Sequence, residues 1–443
     1  MFSNRALRKL LIPLIIEQIL TSLMGTVDTM MVANVGTAAV SGVSLVDAIN
    51  KLVIFILTAL ATGGTIVCSQ YFGRRDSENA NLAARQVLLS SFALSVGMMA
   101  LCLLLRRWLL GLIFGTVEPA VMEAAARYFL LTALSYPFLA LFNAAAALYR
   151  AAGNSRLPML VSVGSNLLNI AGNALLIFTF GMGVTGAAIA TTAGFAVGAV
   201  VLLICLRRPG QGFDIGPYTA IRPAWQTIGR VLRVGIPTGI ENGMFQFGKL
   251  VLQSTVSTLG TTAIASNAIV AVLELMSSMP SQAVGIGLTT VVGQCMGAGR
   301  PDEARKYILK LTGWAAVMLL VANWLIYALT APVCALAGLD PETRDLTIQV
   351  MLVISIVKPF LWTQAFVPPC GMRAAGDVRF GMIISSASMW ILRVGLTTLL
   401  CRRLGVGLVG IWIGYFADWA ARSVAFIWRF YSGKWTRHRV IEP

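Results

Sequence analysis

Long apolar runs recur along the chain, and short polar or basic segments separate them. Runs of 18 or more residues with few charges read as membrane-spanning helices. Twelve are predicted, at about residues 10–33, 43–71, 86–108, 125–150, 158–180, 184–206, 232–258, 266–295, 309–331, 346–371, 380–401 and 406–431. Strands of a membrane barrel would alternate apolar and polar positions, and these runs do not. In a bilayer each backbone donor must be satisfied inside its own segment, so helices are the expected form. The pattern therefore predicts an all-α polytopic membrane protein.

Composition agrees. Of 443 residues, 57% are hydrophobic and only 12% charged, with mean hydropathy +0.79. The net charge of +16 first suggests a polyanionic partner. Its placement argues for a membrane instead. With the N-terminus inside, 23 of the 34 Lys and Arg residues fall in or beside inner segments and 6 in or beside outer loops. That asymmetry is the positive-inside rule, which predicts cytoplasmic termini and argues against a nucleic-acid partner; the expected setting is a bacterial cytoplasmic (inner) membrane. The basic start MFSNRALRKL looks like the head of a signal peptide, but the apolar run after it is too long and carries Glu17 and Asp28. It is read as a retained first helix. The seven cysteines lie in or beside apolar runs with no CxxC, and are expected to be packing residues.

Two halves of the chain match each other. IPLIIE (12–17) faces IPTGIE (236–241), and VGTAAV (35–40) faces LGTTAI (259–264), both 224 positions apart. YRAAGN (149–154) faces MRAAGD (372–377) at 223, and GMGVTG (181–186) faces GVGLVG (405–410) at 224. Each half holds six predicted helices, an even number, so the halves share one orientation and relate by a pseudo-two-fold axis along the membrane normal. The predicted organisation is a six-helix lobe at 1–206, a polar Gly- and Pro-containing cytoplasmic linker at 207–231, a second six-helix lobe at 232–431 and a tail at 432–443. GMGVTG and GVGLVG also fit GxGxxG. A dinucleotide site would need a strand before and a βαβ unit around it. Here each joins two apolar helices, so both are read as tight turns where glycine permits close packing.

The segments VDTMMVANVG (27–36), ALATGGTIVCSQYFGRRD (59–76), ALYRAAGNSR (147–156), VGIGLTTVVGQCMGAGRPDEA (284–304) and MRAAGDVR (372–379) resemble those of the multidrug and toxic compound extrusion (MATE) family. The resemblance spans nearly the whole chain. It implies two six-helix lobes around a central cavity and alternating access driven by inward Na⁺ or H⁺. It also implies export of small amphiphilic, usually cationic, organic compounds, with no cofactor beyond the coupling ion. The partners expected are a small-molecule substrate and membrane lipid, for a monomer. Many relatives carry an acid in the fifth helix four residues after an Asn; this chain has Asn166, Asn169 and Asn173 there, with Asn173 at the acidic position. An amide cannot exchange a proton near neutral pH, but its carbonyl can ligate a cation.

Eleven ionisable residues lie inside predicted helices: Glu17, Asp28, Asp47, Lys51, Glu241, Lys249, Glu274, Lys358, Arg393, Asp418 and Arg422. Such groups are costly in a membrane and are functional candidates. Asp47/Lys51 and Asp418/Arg422, each four apart, are expected to pair structurally. Glu17 and its repeat partner Glu241 suggest a structural role at helix ends. Asp28 is the expected coupling residue, for a proton or as a Na⁺ ligand, with Asn166, Asn169 and Asn173 orienting it. Asn242, Gln246, Lys249 and Gln253 share one face of the seventh helix, and Asn267, Glu274 and Ser278 one face of the eighth. These are expected to line the substrate cavity; interhelical hydrogen bonding is the plainer role for the same pattern. Met24, Met30, Met31, Met276 and Met279 flank the polar faces as adaptable packing. Pro137, Pro280, Pro359, Pro368 and Pro369 are expected to kink their helices.

The function read from this is a cation-coupled antiporter. A flippase for lipid-linked or other anionic amphiphiles is the alternative that Lys249, Lys358 and Arg393 keep open. An enzyme is not expected: the only His, His438, lies in the tail, and no HExxH or Ser/His pattern occurs in the helices.

Overall fold

The structure is a computed structural model and describes residues 1–441 apart from 34, 36, 116–118, 209–211 and 219–220. Of the segments singled out above, positions 34 and 36, parts of the linker and the last two residues of the tail lie outside the described residues.

Twelve helical runs follow the apolar pattern. The first six are α1 (Asn4–Ala33), α2 (Thr37–Arg74), α3 (Ser77–Leu104), α4 (Pro119–Leu134 and Tyr136–Ala151), α5 (Arg156–Thr179) and α6 (Gly183–Leu206). The second six are α7 (Trp225–Val256), α8 (Thr261–Gly297), α9 (Pro301–Leu336), α10 (Pro341–Ala374), α11 (Val378–Arg402) and α12 (Leu408–Tyr431). A short helix, Arg106–Phe114, lies between α3 and α4. No strand occurs among the described residues. Nine of the runs are long and apolar enough to cross a membrane unaided, and the bent pair of α4 makes a tenth. The other two, α7 and α12, carry ionisable residues in their midst, among them Glu241 and Lys249, and Asp418 and Arg422. Their polarity lowers the hydropathy without breaking the helix, because the side chains find partners inside the protein.

The chain forms two compact units, Ser3–Gly239 and Ile240–Pro443, with Met1–Phe2 docked on the second. The division between units falls inside α7, and residues 225–231, read above as linker, already belong to that helix. In the first unit α2 packs against α3 and α4, α4 against α6, and α5 against both α1 and α6. In the second, α8, α9 and α10 pack on one another and α10 packs on α12. The described part of the linker is tied to α3: Gln86 Nε2 donates to the Arg222 carbonyl at 2.9 Å, and the Ala224 N–H donates to Gln86 Oε1 at 3.0 Å. The tail folds back on the second unit. Trp435 is fully buried, stacks on Phe430 at 5.9 Å and donates its indole N–H to the Phe430 carbonyl at 3.1 Å.

Local details explain where helices begin, bend and turn. Asp76 caps α3 and Asp340 caps α10, each accepting from the backbone N–H three residues on. Pro137 sits just inside the second segment of α4, and the two segments meet at 43°. Pro280, Pro359, Pro368 and Pro369 lie inside continuous helices α8 and α10. The repeated glycine turns have a sharper reason than close packing. Gly181, Gly183, Gly405 and Gly407 all have positive φ, from 55° to 69°, so the two turns match each other residue for residue. A side chain would be strained there whatever the space.

The repeat also explains two ion pairs. Arg150 Nη2 meets Glu17 Oε1 at 3.2 Å in the first unit, and Arg373 Nη2 meets Glu241 Oε2 at 2.8 Å in the second. Both pairs are largely buried, which fits the structural role that the symmetry suggests for the two glutamates.

The turn geometry predicts a clean stability effect. Gly407 has φ +69° and ψ −150°, and no atom lies within 4 Å of a Cβ built on it. Gly407→Ala is therefore expected to destabilise by backbone strain alone, about 1–3 kcal/mol. Gly313→Ala, in the open interior of α9, is expected to leave stability unchanged or raise it by about 0.5–1 kcal/mol. Thermal unfolding of the purified variants in detergent measures both; equal midpoints for the two would contradict the strain.

Candidate functional site

In the first unit, helix packing brings Asp28 of α1 against α5. Asn173 Nδ2 donates to Asp28 Oδ1 in a short contact and also to Asn169 Oδ1 at 3.2 Å. Asn169 Nδ2 donates in turn to Thr191 Oγ1 on α6 at 2.9 Å. A chain of polar groups thus runs from α1 through α5 to α6. Asn173 is fully buried, yet its Oδ1 has no hydrogen-bond partner. A buried acceptor without a donor costs free energy, about 1–3 kcal/mol, unless a cation or water meets it. Asn166 is not part of this chain; its amide meets Ser162 on its own helix at 3.5 Å. Directly after Asn173, α5 widens into a π-helical turn, Ala174–Thr179. Such turns shift the helix register and recur at functional sites.

A second carboxylate, Asp47 of α2, stands within electrostatic reach of Asp28. The Tyr128 hydroxyl of α4 approaches Asp47 Oδ1 at 3.5 Å, the outer limit of a hydrogen bond. Lys51, one turn on and solvent- or lipid-exposed, is close enough to act on Asp47 electrostatically. Beside them Asn50 accepts from the Tyr136 hydroxyl at 2.7 Å. The site is oxygen-rich and acidic. Among the described residues no group of three or more His, Cys, Asp or Glu could hold a metal ion. A cation here would rely on one or two carboxylates with amide and hydroxyl oxygens, a donor set that suits a proton or a weakly bound hard ion such as Na⁺ rather than a transition metal.

The second unit is built differently. Glu274 of α8 pairs with Lys358 of α10 at 2.7 Å, and Lys358 is fully buried. Its ammonium also donates to the Glu274 carbonyl at 2.6 Å and to Ser277 and Ser278 at 2.7 Å each, which uses its three donors and more. Ser278 is itself buried and donates to Glu274 Oε1 at 3.1 Å. The face of α8 that the spacing assigns to a cavity is thus partly turned into an ion pair with α10. Asn242, Gln246 and Asn267 are half-buried, whereas Lys249 and Gln253 are exposed. Asp418 of α12 accepts from Arg422 at 2.8 Å, as its spacing predicts, and forms an ion pair with Arg393 of α11 at 2.5 Å, which its spacing does not predict. Arg393 lies in the second π-helical turn, Met389–Leu396.

Sequence reasoning missed Lys358, Arg393, Thr191 and Tyr128 as partners. Each lies on a different helix from its partner, 81 and 84 residues away for Asp47–Tyr128 and Glu274–Lys358 and on the adjacent helix for Asn169–Thr191 and Asp418–Arg393. The one available signal was the repeat: Arg393 falls at the position of Asn169 when the 224-residue offset is applied.

Two helical units on one repeated plan, with ionisable side chains held inside membrane-length helices, define a polytopic membrane transporter by class. The chain belongs to the MatE family, whose model matches it twice, over residues 13–175 and 237–399. Both ends of the two matches are 224 residues apart, the offset of the internal repeat. The chain is similar to the probable multidrug resistance protein NorM of Thermotoga maritima, 29% identical over 99% of this chain and 94% of that protein. It is also similar to the multidrug resistance protein PmpM of Pseudomonas aeruginosa, 26% identical over 85% of this chain and 80% of that protein. In fold it matches a crystal structure of MATE in the straight conformation, at TM-score 0.87, covering 97% of this chain and 96% of the other at 21% identity. An outward-facing multidrug resistance MATE family transporter matches at TM-score 0.88 and 21% identity over the same shares.

The Glu274–Lys358 pair carries a stability prediction. Lys358→Met should strand a mostly buried carboxylate and cost about 3–5 kcal/mol, whereas adding Glu274→Gln should recover most of that loss. Detergent thermal unfolding of the single and double variants reads the difference. A single variant as stable as wild type would show that the pair is not what holds α8 to α10.

Proposed function

We propose that the protein is a cation-coupled antiporter that exports small amphiphilic organic compounds by alternating access, with H⁺ or Na⁺ as the coupling ion. The observation that carries the reading is Asp28, a carboxylate inside a membrane helix whose hydrogen-bond partner is an amide, beside a buried amide oxygen that has none. Protonation or Na⁺ binding would each relieve the charge of Asp28, and Na⁺ would also give the Asn173 Oδ1 a partner. Asn169 and Asn173 then orient the acid, and Asn166 stands one step outside. The names of the bacterial relatives support efflux as the direction. The inner excess of Lys and Arg supports cytoplasmic termini, and the bacterial relatives support a bacterial plasma membrane.

The second reading, transport of anionic amphiphiles including lipid-linked ones, is favoured by the four cations gathered in the second unit: Lys249, Lys358, Arg393 and Arg422. It concerns the substrate and leaves the role of Asp28 unchanged.

The test is transport in proteoliposomes under Na⁺ and H⁺ gradients imposed separately. Wild type should export under one of them. Asp28→Asn keeps size and hydrogen bonding but removes charge and titration. It is expected to insert and unfold like wild type, to retain substrate binding and to lose gradient-driven export by at least tenfold. Gradient-dependent export at the wild-type rate in Asp28→Asn would falsify the coupling role.

A further inference from the structure

Asp47 and Asn50 lie three residues apart on one face of α2, and that face holds α4 on both sides of its break. Asp47 meets the first segment, where the Tyr128 hydroxyl stands 3.5 Å from its Oδ1. Asn50 meets the break itself. Its Oδ1 accepts from the Tyr136 hydroxyl at 2.7 Å and from the Thr132 hydroxyl at 3.4 Å. The Asn50 side chain also hydrogen-bonds Asp47. Asn50, Tyr128, Thr132 and Tyr136 are all buried. One short stretch of α2 thus grips both segments of α4 through polar side chains.

The break has a local cause. Pro137 has no N–H, so the Ala133 carbonyl loses its ordinary helical partner. The Ser135 N–H and hydroxyl both turn back to the Thr132 carbonyl, at 3.0 and 2.6 Å. The two segments meet at 43°. The hydrogen bonds that hold this bend to α2 join neutral hydroxyls to an amide, and such bonds are modest in net strength and readily exchanged.

The second half shows the same place locked. At the 224-residue offset Asn50 corresponds to Glu274, and at the 223-residue offset of the Arg–Ala–Ala–Gly corner Ser135 corresponds to Lys358. There the contact is an ion pair at 2.7 Å, and α10 runs unbroken through Pro359. Asp47 corresponds to Ala271. The first half therefore has neutral groups where the second has an ion pair, and a break where the second has continuous helix. It also has an acid one turn away, where the second has a methyl group.

That acid links the break to the site around Asp28. The two carboxylates act on one another, and both act on the Tyr128 hydroxyl. Lys51, one turn along α2 and exposed, also acts on Asp47. A cation taken up at Asp28 changes the field at Asp47, whose hydrogen bonds run to the Asn50 and Tyr128 groups that hold α4.

We propose that Asp47 is a second coupling carboxylate: it answers the coupling ion together with Asp28 and passes its binding to the break in α4 through Asn50, Tyr128 and Tyr136. This rests on the antiporter reading for its purpose. It makes the bend of α4 the element of the first half that responds to the ion, while its counterpart in the second half stays fixed by Glu274 and Lys358.

Hydrogen–deuterium exchange of the purified full-length protein in detergent, with no gradient, tests it. Exchange is read over residues 128–139 with Na⁺ present or replaced by choline, and at acid or neutral pH after correction for intrinsic rate. One of the two ions should change exchange there at least threefold in wild type. Asp47→Asn should abolish that response and cut gradient-driven export in proteoliposomes at least tenfold. Asp47→Glu, which keeps the carboxylate, should keep the response. Tyr136→Phe, which removes only the hydroxyl held by Asn50, should abolish it. A wild-type α4 that exchanges alike with and without either ion, a response that survives in Asp47→Asn or in Tyr136→Phe, or export by Asp47→Asn at the wild-type rate would each overturn the proposal. Loss of the response in Asp47→Glu as well, with a lowered unfolding midpoint, would reduce Asp47 to a structural role and overturn it too. Export that needs Asp28 but not Asp47 would sink this inference alone. An ion response that depends on Asp47, in a protein that exports under neither gradient, would sink the antiporter reading alone.

Discussion

An ionised side chain inside a membrane-spanning helix must find a countercharge or lose its charge, and that requirement organises this protein. Four glutamate and aspartate side chains meet it through arginine or lysine: Glu17 with Arg150, Glu241 with Arg373, Glu274 with Lys358, and Asp418 with Arg393 and Arg422. All but Asp418–Arg422 join different helices, so satisfying those charges also fixes which helices touch. Removing one partner leaves the other stranded in a medium of low dielectric, which is far more costly than never having had the pair. Asp28 departs from this rule. Among the described residues it meets the amide of Asn173 and a second carboxylate, Asp47, but no cation.

The two halves show how one backbone plan carries opposite chemistry. Their turns agree in conformation as well as sequence, down to the positive φ of Gly181 and Gly405 and of Gly183 and Gly407. Both have a π-helical turn late in the fifth or eleventh helix. Their ends are tied by matching glutamate–arginine pairs. The halves also differ between these fixed points: Asn169 of the first half corresponds to Arg393 of the second, and Asp28 to Leu252. The first half carries Asp28, Asn169 and Asn173 there, and the second carries Leu252, Arg393 and Thr397, with Arg422 opposite Gly198. Backbone requirements such as a glycine turn tolerate few residues, whereas a side chain pointing into a site can change as long as its charge is answered nearby.

The long apolar runs were enough to read an all-helical membrane protein, because backbone hydrogen bonding in lipid leaves few alternatives. The repeat was legible from four short blocks, since glycine turns and Arg–Ala–Ala–Gly corners tolerate little change. The i,i+4 pair Asp418–Arg422 was legible because helical geometry alone brings it together. Only the tertiary structure decided that Asp418 also serves Arg393, that Glu274 answers Lys358, and that Asn173 rather than Asn166 meets Asp28. It also turned Ser278 from an open face into the lysine's shell. The physical reason is range. Hydropathy and helical periodicity act over one or a few turns and can be read along the chain, but a buried charge is answered by whichever helix packs beside it, and that neighbour is chosen by the fold of the whole unit.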